Sequence, residues 1–216
     1  MKKMNIVFEN KNLLVVEKEP HVLTIATEKK EEHTLYREAS AYVKKQYPKN
    51  KIFIVHRLDK DTSGLVIFAK NQDTKNELQN NWDKVKREYI AIVEGKVPKQ
   101  KDVLESYLVE DKTYNVYSTK DPKKGKLAIT EYEVLKQNNN FSLLKINIKT
   151  GRKNQIRVQL SDIGHPIVGD KKYNSKTNIL KRLALHANLI EYKDYHFETK
   201  YPKEFNKIFK EIWYTL

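Results

Sequence analysis

Cysteine is absent from the 216 residues. That absence excludes a disulfide framework and thiolate chemistry, and it permits a reducing cytoplasm, which is the compartment expected. No apolar run approaches the roughly 18 residues of a membrane span, and the mean hydropathy of −0.76 points the same way. The opening "MNIVFENKN" turns polar at once, so no secretory leader is expected. The histidines show no HExxH or paired ligand spacing, which argues against zinc. Repeats, low-complexity tracts and Gly/Ser linkers are missing too, and a single domain over 1–216 is expected. Arginine is scarce in a more telling way. In a chain whose basic residues are mostly lysine, each of Arg37, Arg57, Arg87, Arg152, Arg157 and Arg182 marks a candidate place for a planar, always-charged, two-donor group.

Positive charge is plentiful. With 42 basic against 28 acidic residues the formal charge is +14, which suits either a solvated lysine-rich surface or an electrostatic footprint for nucleic acid. The 13 tyrosines could be stacking platforms for bases, but tyrosine is equally a core residue.

Along the chain, "NLLVVEK" reads as a strand, and "HTLYREASAYVKKQY" as a helix with Leu35, Ala39, Tyr42 and Val43 on one face, ended by Pro48. "IFIV" and "LVIFA" read as buried strands, followed by a helix over 73–82 with Asp73 as N-cap. "REYIAIVEG", "DVLESYLV", "TYNVYS", "LAITEYEVL" and "FSLLKINIKT" form a β-rich stretch, with "KQNNN" as a hairpin turn. "GRKNQIRVQLSDIG" reads as a helix with Ile156, Leu160 and Ile163 inward; "LALHANLIEY", "YHFETK" and the amphipathic "EFNKIFKEIW" close the chain. Mostly consecutive strands predict an α+β fold with a mainly antiparallel sheet.

"DKDTSG" (59–64) imitates the front of a calcium loop, yet position twelve is Lys70 where the ion needs a bidentate Glu, and the flanks read as strands rather than helices. Asp59 at a strand end could be a simple loop cap. Arg57, two residues earlier, falls on the same side of an extended segment, where it favours the carboxylate and could grip a phosphate. Arg157 sits at the edge of a helical apolar stripe and needs a carboxylate partner, which a structural ion pair would satisfy equally well. Alternation places Tyr89 on one strand face with Arg87, where a core tyrosine is the default.

"HRLDKDTSGL" (56–65), "KREYIAIVEG" (86–95), "TGRKNQIRVQL" (150–160), "GHPIVGD" (164–170) with Tyr173, and "RLALHA" (182–187) resemble, in order, the motifs of the RluA-type RNA pseudouridine synthases. The resemblance covers about residues 12–205. It implies a pseudouridine synthase fold: a mixed, mainly antiparallel sheet with flanking helices and a central active-site cleft. It also implies a catalytic aspartate at Asp59, a tyrosine near the target base at Tyr89, a basic partner of the aspartate at Arg157, and an arginine that helps displace the target nucleotide at Arg57. Arg87 and Arg152 lie in the same motifs and are expected at the RNA. The partner expected is structured RNA, transfer or ribosomal, bound by a monomer without a membrane; no cofactor or metal is suggested.

Two departures stand out. The family's "TGRxHQIRxH" has histidines where this chain has Asn154 and Gln159, and its "VVDKPxGL" is "VVEKEPHVL" here, with the glycine absent. Both put the cleft's shape and RNA specificity in question rather than the reaction. The first core strand, starting by about residue 12, leaves no room for the S4 domain that many relatives carry. Two other classes fit parts of the pattern: a silent RNA-binding protein, and a metal-dependent nuclease built on Asp59, Asp61 and Asp170.

Overall fold

Apolar residues at every second position, as in "KLAITEYEVLKQ", bury one face of a strand and leave the other to polar side chains. That pattern dominates a computed structural model that describes residues 4–26 and 33–210. The strands are β1 (Asn5–Glu9), β2 (Leu13–Lys18), β3 (Phe53–Ile54), β4 (Ser63–Ala69), β5 (Lys86–Glu94), β6 (Lys101–Glu110), β7 (Val116–Thr119), β8 (Lys126–Gln137), β9 (Phe141–Ile148), β10 (Leu185–Tyr192) and β11 (Tyr195–Glu198). The helices are α1 (Leu35–Gln46), α2 (Gln72–Asn80), α3 (Gln155–Asp162) and α4 (Lys207–Lys210). The fold is α+β and mainly antiparallel, as expected. No helix among the described residues is long and apolar enough to cross a membrane.

Two compact units make up the chain. The first comprises the residues up to Val85 together with Ala187–Thr199. Its strands run β1-β2-β4-β10, with β3 also on β4 and β11 on β10. All seven residues of β4 are buried, which is why "SGLVIFA" carries no polar alternation; full burial of Leu65, Ile67 and Phe68 contributes about 1.5–3 kcal/mol each. Helix α1 starts where Thr34 Oγ1 accepts the Arg37 N–H. It stops at Gln46 because the residue before Pro48 is driven to extended backbone, as Tyr47 is (φ −155°, ψ 127°). Three expectations change here. The N-cap of α2 is Asn71, whose Oδ1 accepts the Thr74 N–H at 2.8 Å, and Asp73 sits in the first turn, where a negative charge meets the helix dipole. "IFIV" shortens to the two-residue β3. Strand β1, not foreseen, is a part-exposed edge, where a short apolar run has no strict period.

The second unit comprises Lys86–His186 and the residues from Lys200 onward. Its strands run β5-β9-β8-β6-β7. The turn in "KQNNN" is built by Asn138, whose Oδ1 accepts the N–H groups of Asn140 and Phe141 at 2.8 Å each. Ile92, Leu144, Ile146, Leu160, Ile167 and Phe205 anchor the core. Ile156 and Leu160 of α3 point inward as expected, but Ile163 is 39% exposed, because α3 ends one residue earlier and Ile163 leaves the helical register. In "TYNVYS" the strand begins only at Val116. At the amphipathic end Phe205, Ile208 and Phe209 are buried, while residues 211–213 lie outside the described residues.

Candidate active site

In the first unit, residues 55–62 join β3 to β4 and carry the HRLD motif. Val55 and Leu58 are buried, Arg57 is exposed and Asp59 is half-buried. The Thr62 N–H bonds the Asp59 carbonyl at 3.2 Å and closes a turn directly after the aspartate. Three sets of contacts hold this segment, two reaching in from Lys18 and Thr24 and one reaching out from His56. Lys18, fully buried, donates from Nζ to the carbonyls of Glu19 (2.9 Å), Val22 (2.7 Å) and Lys60 (2.9 Å). An ammonium has three protons, and three carbonyls take them. Thr24 Oγ1 donates to the Leu58 carbonyl at 2.9 Å and accepts its N–H at 3.1 Å. His56 accepts the Ile67 N–H at Nε2 (3.0 Å) and stacks on Trp82 with ring centroids 4.5 Å apart. Lys18 and Thr24 thus act on the main chain around Asp59, while His56 ties the start of the segment to β4 and Trp82; no motif marks Lys18 or Thr24 as functional. The signal available was a lysine ending a buried strand, a place lysine rarely occupies without acceptors.

The glycine that ends "DKDTSG" has a packing reason. Gly64 has φ +117°, and a Cβ there would lie 2.1 Å from the Ala187 carbonyl oxygen on β10, so only glycine fits.

In the second unit, Tyr89 lies on β5 opposite Ile146, half-buried against the core. Arg157 is held on every side described. Its Nε and Nη2 donate to the two oxygens of Asp170 at 2.7 and 2.8 Å, its Nη1 donates to Asn154 Oδ1 at 3.1 Å, and its guanidinium lies 4.9 Å from the centre of the Tyr173 ring. The Asp170 side chain is 1% exposed, so its charge needs such a fork. The fork of Nε and Nη2 is thus engaged by Asp170. With both oxygens so committed, Asp170 is not a free metal ligand. Among the described residues no group of three or more acidic or histidine side chains is placed to hold an ion.

The two residues that replace the family's histidines, Asn154 and Gln159, are internal. Asn154 is 8% exposed with left-handed backbone (φ 54°); besides meeting Arg157, its Nδ2 donates to Tyr173 Oη at 2.9 Å. Gln159, 2% exposed, donates from Nε2 to the Leu104 and Ala128 carbonyls and to Ser106 Oγ, tying α3 to β6 and β8. Neither residue presents its side chain at a surface, so their effect passes through the placement of α3 and Arg157.

The remaining arginines divide. Arg152 is exposed, its Nε on the Leu127 carbonyl at 3.0 Å, and its loop is fixed by Gln155, whose Oε1 accepts the Arg152 N–H and the Thr150 hydroxyl. Arg87, expected at the RNA, is instead 6% exposed, with Nη2 toward the carbonyls of Ile148 and Lys149 at the end of β9. Strand alternation turned it into the unit, where it braces the loop that bears Arg152. In "RLALHA", burial and then the Arg182 charge push His186 down to about 3, so this histidine is neutral near pH 7.

Known proteins resemble this chain in sequence and in fold. A family model described as RNA pseudouridylate synthase matches residues 12–162. A Helicobacter pylori protein named as an uncharacterized RNA pseudouridine synthase is 36% identical over 95% of this chain and 78% of its own length. Ribosomal large subunit pseudouridine synthase D of Borreliella burgdorferi is 34% identical over 86% of this chain and 60% of its own. Among solved structures, human RNA pseudouridylate synthase domain containing 4 superposes with a TM-score of 0.81 at 22% identity, over 94% of this chain and 90% of that one. The order of motifs, the fold and these matches agree: the chain belongs to the RluA-type RNA pseudouridine synthases, a family of isomerases.

Proposed function

We propose that this enzyme converts specific uridines of structured RNA, transfer or ribosomal, to pseudouridine, with Asp59 as the catalytic group. The observation that carries the proposal is the fastening of the main chain on both sides of Asp59 by Lys18 and Thr24. A carboxylate that must act on a sugar or base needs a fixed position more than it needs a packing role. The reaction breaks the N1–C1′ bond, turns the base, forms the C5–C1′ bond and passes the C5 proton to solvent. Asp59 acts ionised, at the sugar or the base. Tyr89 stacks on the uracil and can take part in removing the C5 proton. Arg157, aimed by Asp170, Asn154 and Tyr173, supplies the positive charge that favours the ionised aspartate. The target base is flipped out of its stack to be reached, and the exposed Arg57 and Arg152 hold phosphates. Arg87 serves as a brace. The net charge of +14 supports an RNA partner. On this reading both units serve one catalytic domain, working as a monomer in the cytoplasm.

The test is tritium release. RNA carrying tritium at C5 of uridine, offered as both unmodified transfer and ribosomal RNA, is expected to release label to water with its chain length unchanged. Asp59→Asn, which keeps shape and removes charge, is expected to abolish release while leaving RNA affinity nearly intact. A variant within about tenfold of the parent, a barrier change of ~1.4 kcal/mol, would remove Asp59 from the chemistry. No release by folded protein that still binds RNA would leave a silent binder.

A further inference from the structure

Residues 18–24 cross to the Asp59 turn three times. Lys18 takes the Lys60 carbonyl and Thr24 takes both main-chain groups of Leu58, as described above. The third link joins two side chains: His21 Nδ1 lies 2.9 Å from Asp61 Oδ1, two residues beyond Asp59. His21 does this from left-handed backbone, φ +67°, a conformation that glycine adopts freely and a residue with a Cβ adopts at a cost. The two side chains are 57% and 44% exposed. An ion pair that open contributes little to stability, so stability gives no reason to keep a histidine in strained backbone there. The link does close the bracket around Asp59: Leu58 and Lys60 are fixed through the main chain, and Asp61 is fixed at the outer end of the turn.

We propose that His21 is a positioning residue, which acts through Asp61 to hold the turn that carries Asp59. The inference rests on the reading of Asp59 as the catalytic group. It extends that reading to a residue outside the HRLD motif, at a site where this chain departs from its family's pattern.

Four proteins test it: His21→Gly, His21→Asn, Asp61→Ala, and the His21→Gly/Asp61→Ala double variant. Each is assayed for tritium release, for melting temperature, and for amide exchange at Thr62, whose N–H bonds the Asp59 carbonyl. His21→Gly is expected to melt with the parent, since glycine accepts the backbone, yet to lose about tenfold in kcat with KM within about twofold, and to exchange faster at Thr62. Asn tolerates left-handed backbone and can donate to Asp61 from Nδ2, so His21→Asn is expected to recover most of the loss. The double variant is expected to be no worse than the poorer single one. Parental kcat in His21→Gly, no recovery by asparagine, or a loss confined to KM would each overturn the proposal, the last by marking His21 as an RNA contact. If the parent releases no tritium, the functional reading fails. Exchange at Thr62 then decides the clasp alone: faster in His21→Gly supports it, unchanged sinks it.

Discussion

The turn that carries Asp59 and the helix that carries Arg157 are fastened by opposite means. Around Asp59, Lys18 and Thr24 reach main-chain groups of Leu58 and Lys60. Around Arg157, side chain holds side chain: the Asp170 fork, the Asn154 amide and the Tyr173 ring. Main-chain fastening is indifferent to the identities of the residues it fixes, so the turn can be chosen for chemistry without loosening. It depends wholly on the distant anchor. A side-chain frame distributes the work, and each member sets part of the direction in which the guanidinium points. Loss of an anchor should therefore act on stability first, and loss of a frame member on turnover first.

Lys18→Met tests the anchor and carries the largest expected effect on stability. It nearly keeps the volume but removes the donor from three carbonyls inside the first unit. Leaving those groups without a partner should cost about 3–5 kcal/mol, a fall in Tm on the order of 10 °C for a chain of this size. A melting curve within about 2 °C of the parent would show that the carbonyls find other donors. Arg157→Lys tests the frame. A point-charge ammonium cannot span both oxygens of Asp170 or cover the Tyr173 ring as the planar group does. Turnover should fall at least about tenfold, ~1.4 kcal/mol in the barrier, with a Tm only a few degrees lower. Parental turnover would mean that the charge alone suffices.

Asn154 lets the frame be taken apart. Asn154→Ala forces an ordinary side chain into φ 54° and deletes both amide bonds, at about 2 kcal/mol. Asn154→Gly keeps the backbone at ease and deletes the same bonds, at about 1 kcal/mol. Urea unfolding reads the difference as backbone strain. Equal losses would show that the bonds carry the whole effect.

Much of this was legible in the residues, and the failures share a cause. β5, β8 and β9 follow period-two runs long enough to overrule chance, and α1 has both a cap and a stop. β1 is short and half-buried at an edge, so its three apolar residues show no period. Asn71 and Asp73 are both good caps two residues apart, and only the chain's direction of entry selects Asn71. Asp59, Tyr89 and Arg157 stood out through motifs. Their supports did not, because a support is defined by what it touches. Lys18 looks like any strand-ending lysine until its carbonyls are seen. Arg87 shows the same ambiguity in reverse: composition flags a place for a planar cation but cannot tell a phosphate from the carbonyls of Ile148 and Lys149.

The smallest expected effect concerns a place where the first unit borrows the second unit's method. Glu9, closing β1, takes Lys70 Nζ on Oε1 at 2.8 Å and the Tyr42 hydroxyl on Oε2 at 2.8 Å, with Gln46 Nε2 near both oxygens. Partial burial by itself would raise its pKa, but the hydrogen bonds from Lys70, Tyr42 and Gln46 outweigh it and hold the carboxyl below its ordinary value of 4.5. The folded state therefore binds the proton less readily than the unfolded chain. The stabilisation is fully present above the unfolded value and is lost as pH falls through the lowered folded one. Glu9→Gln keeps the shape and removes the charge, and should cost about 1 kcal/mol near neutrality. Measured by urea unfolding from about pH 7 down to about pH 3, the gap between parent and variant should hold steady and then close at the acid end. A gap that stayed constant to the lowest pH would show that shape rather than charge fastens this edge, and would sharpen the distinction between the two units' ways of fastening.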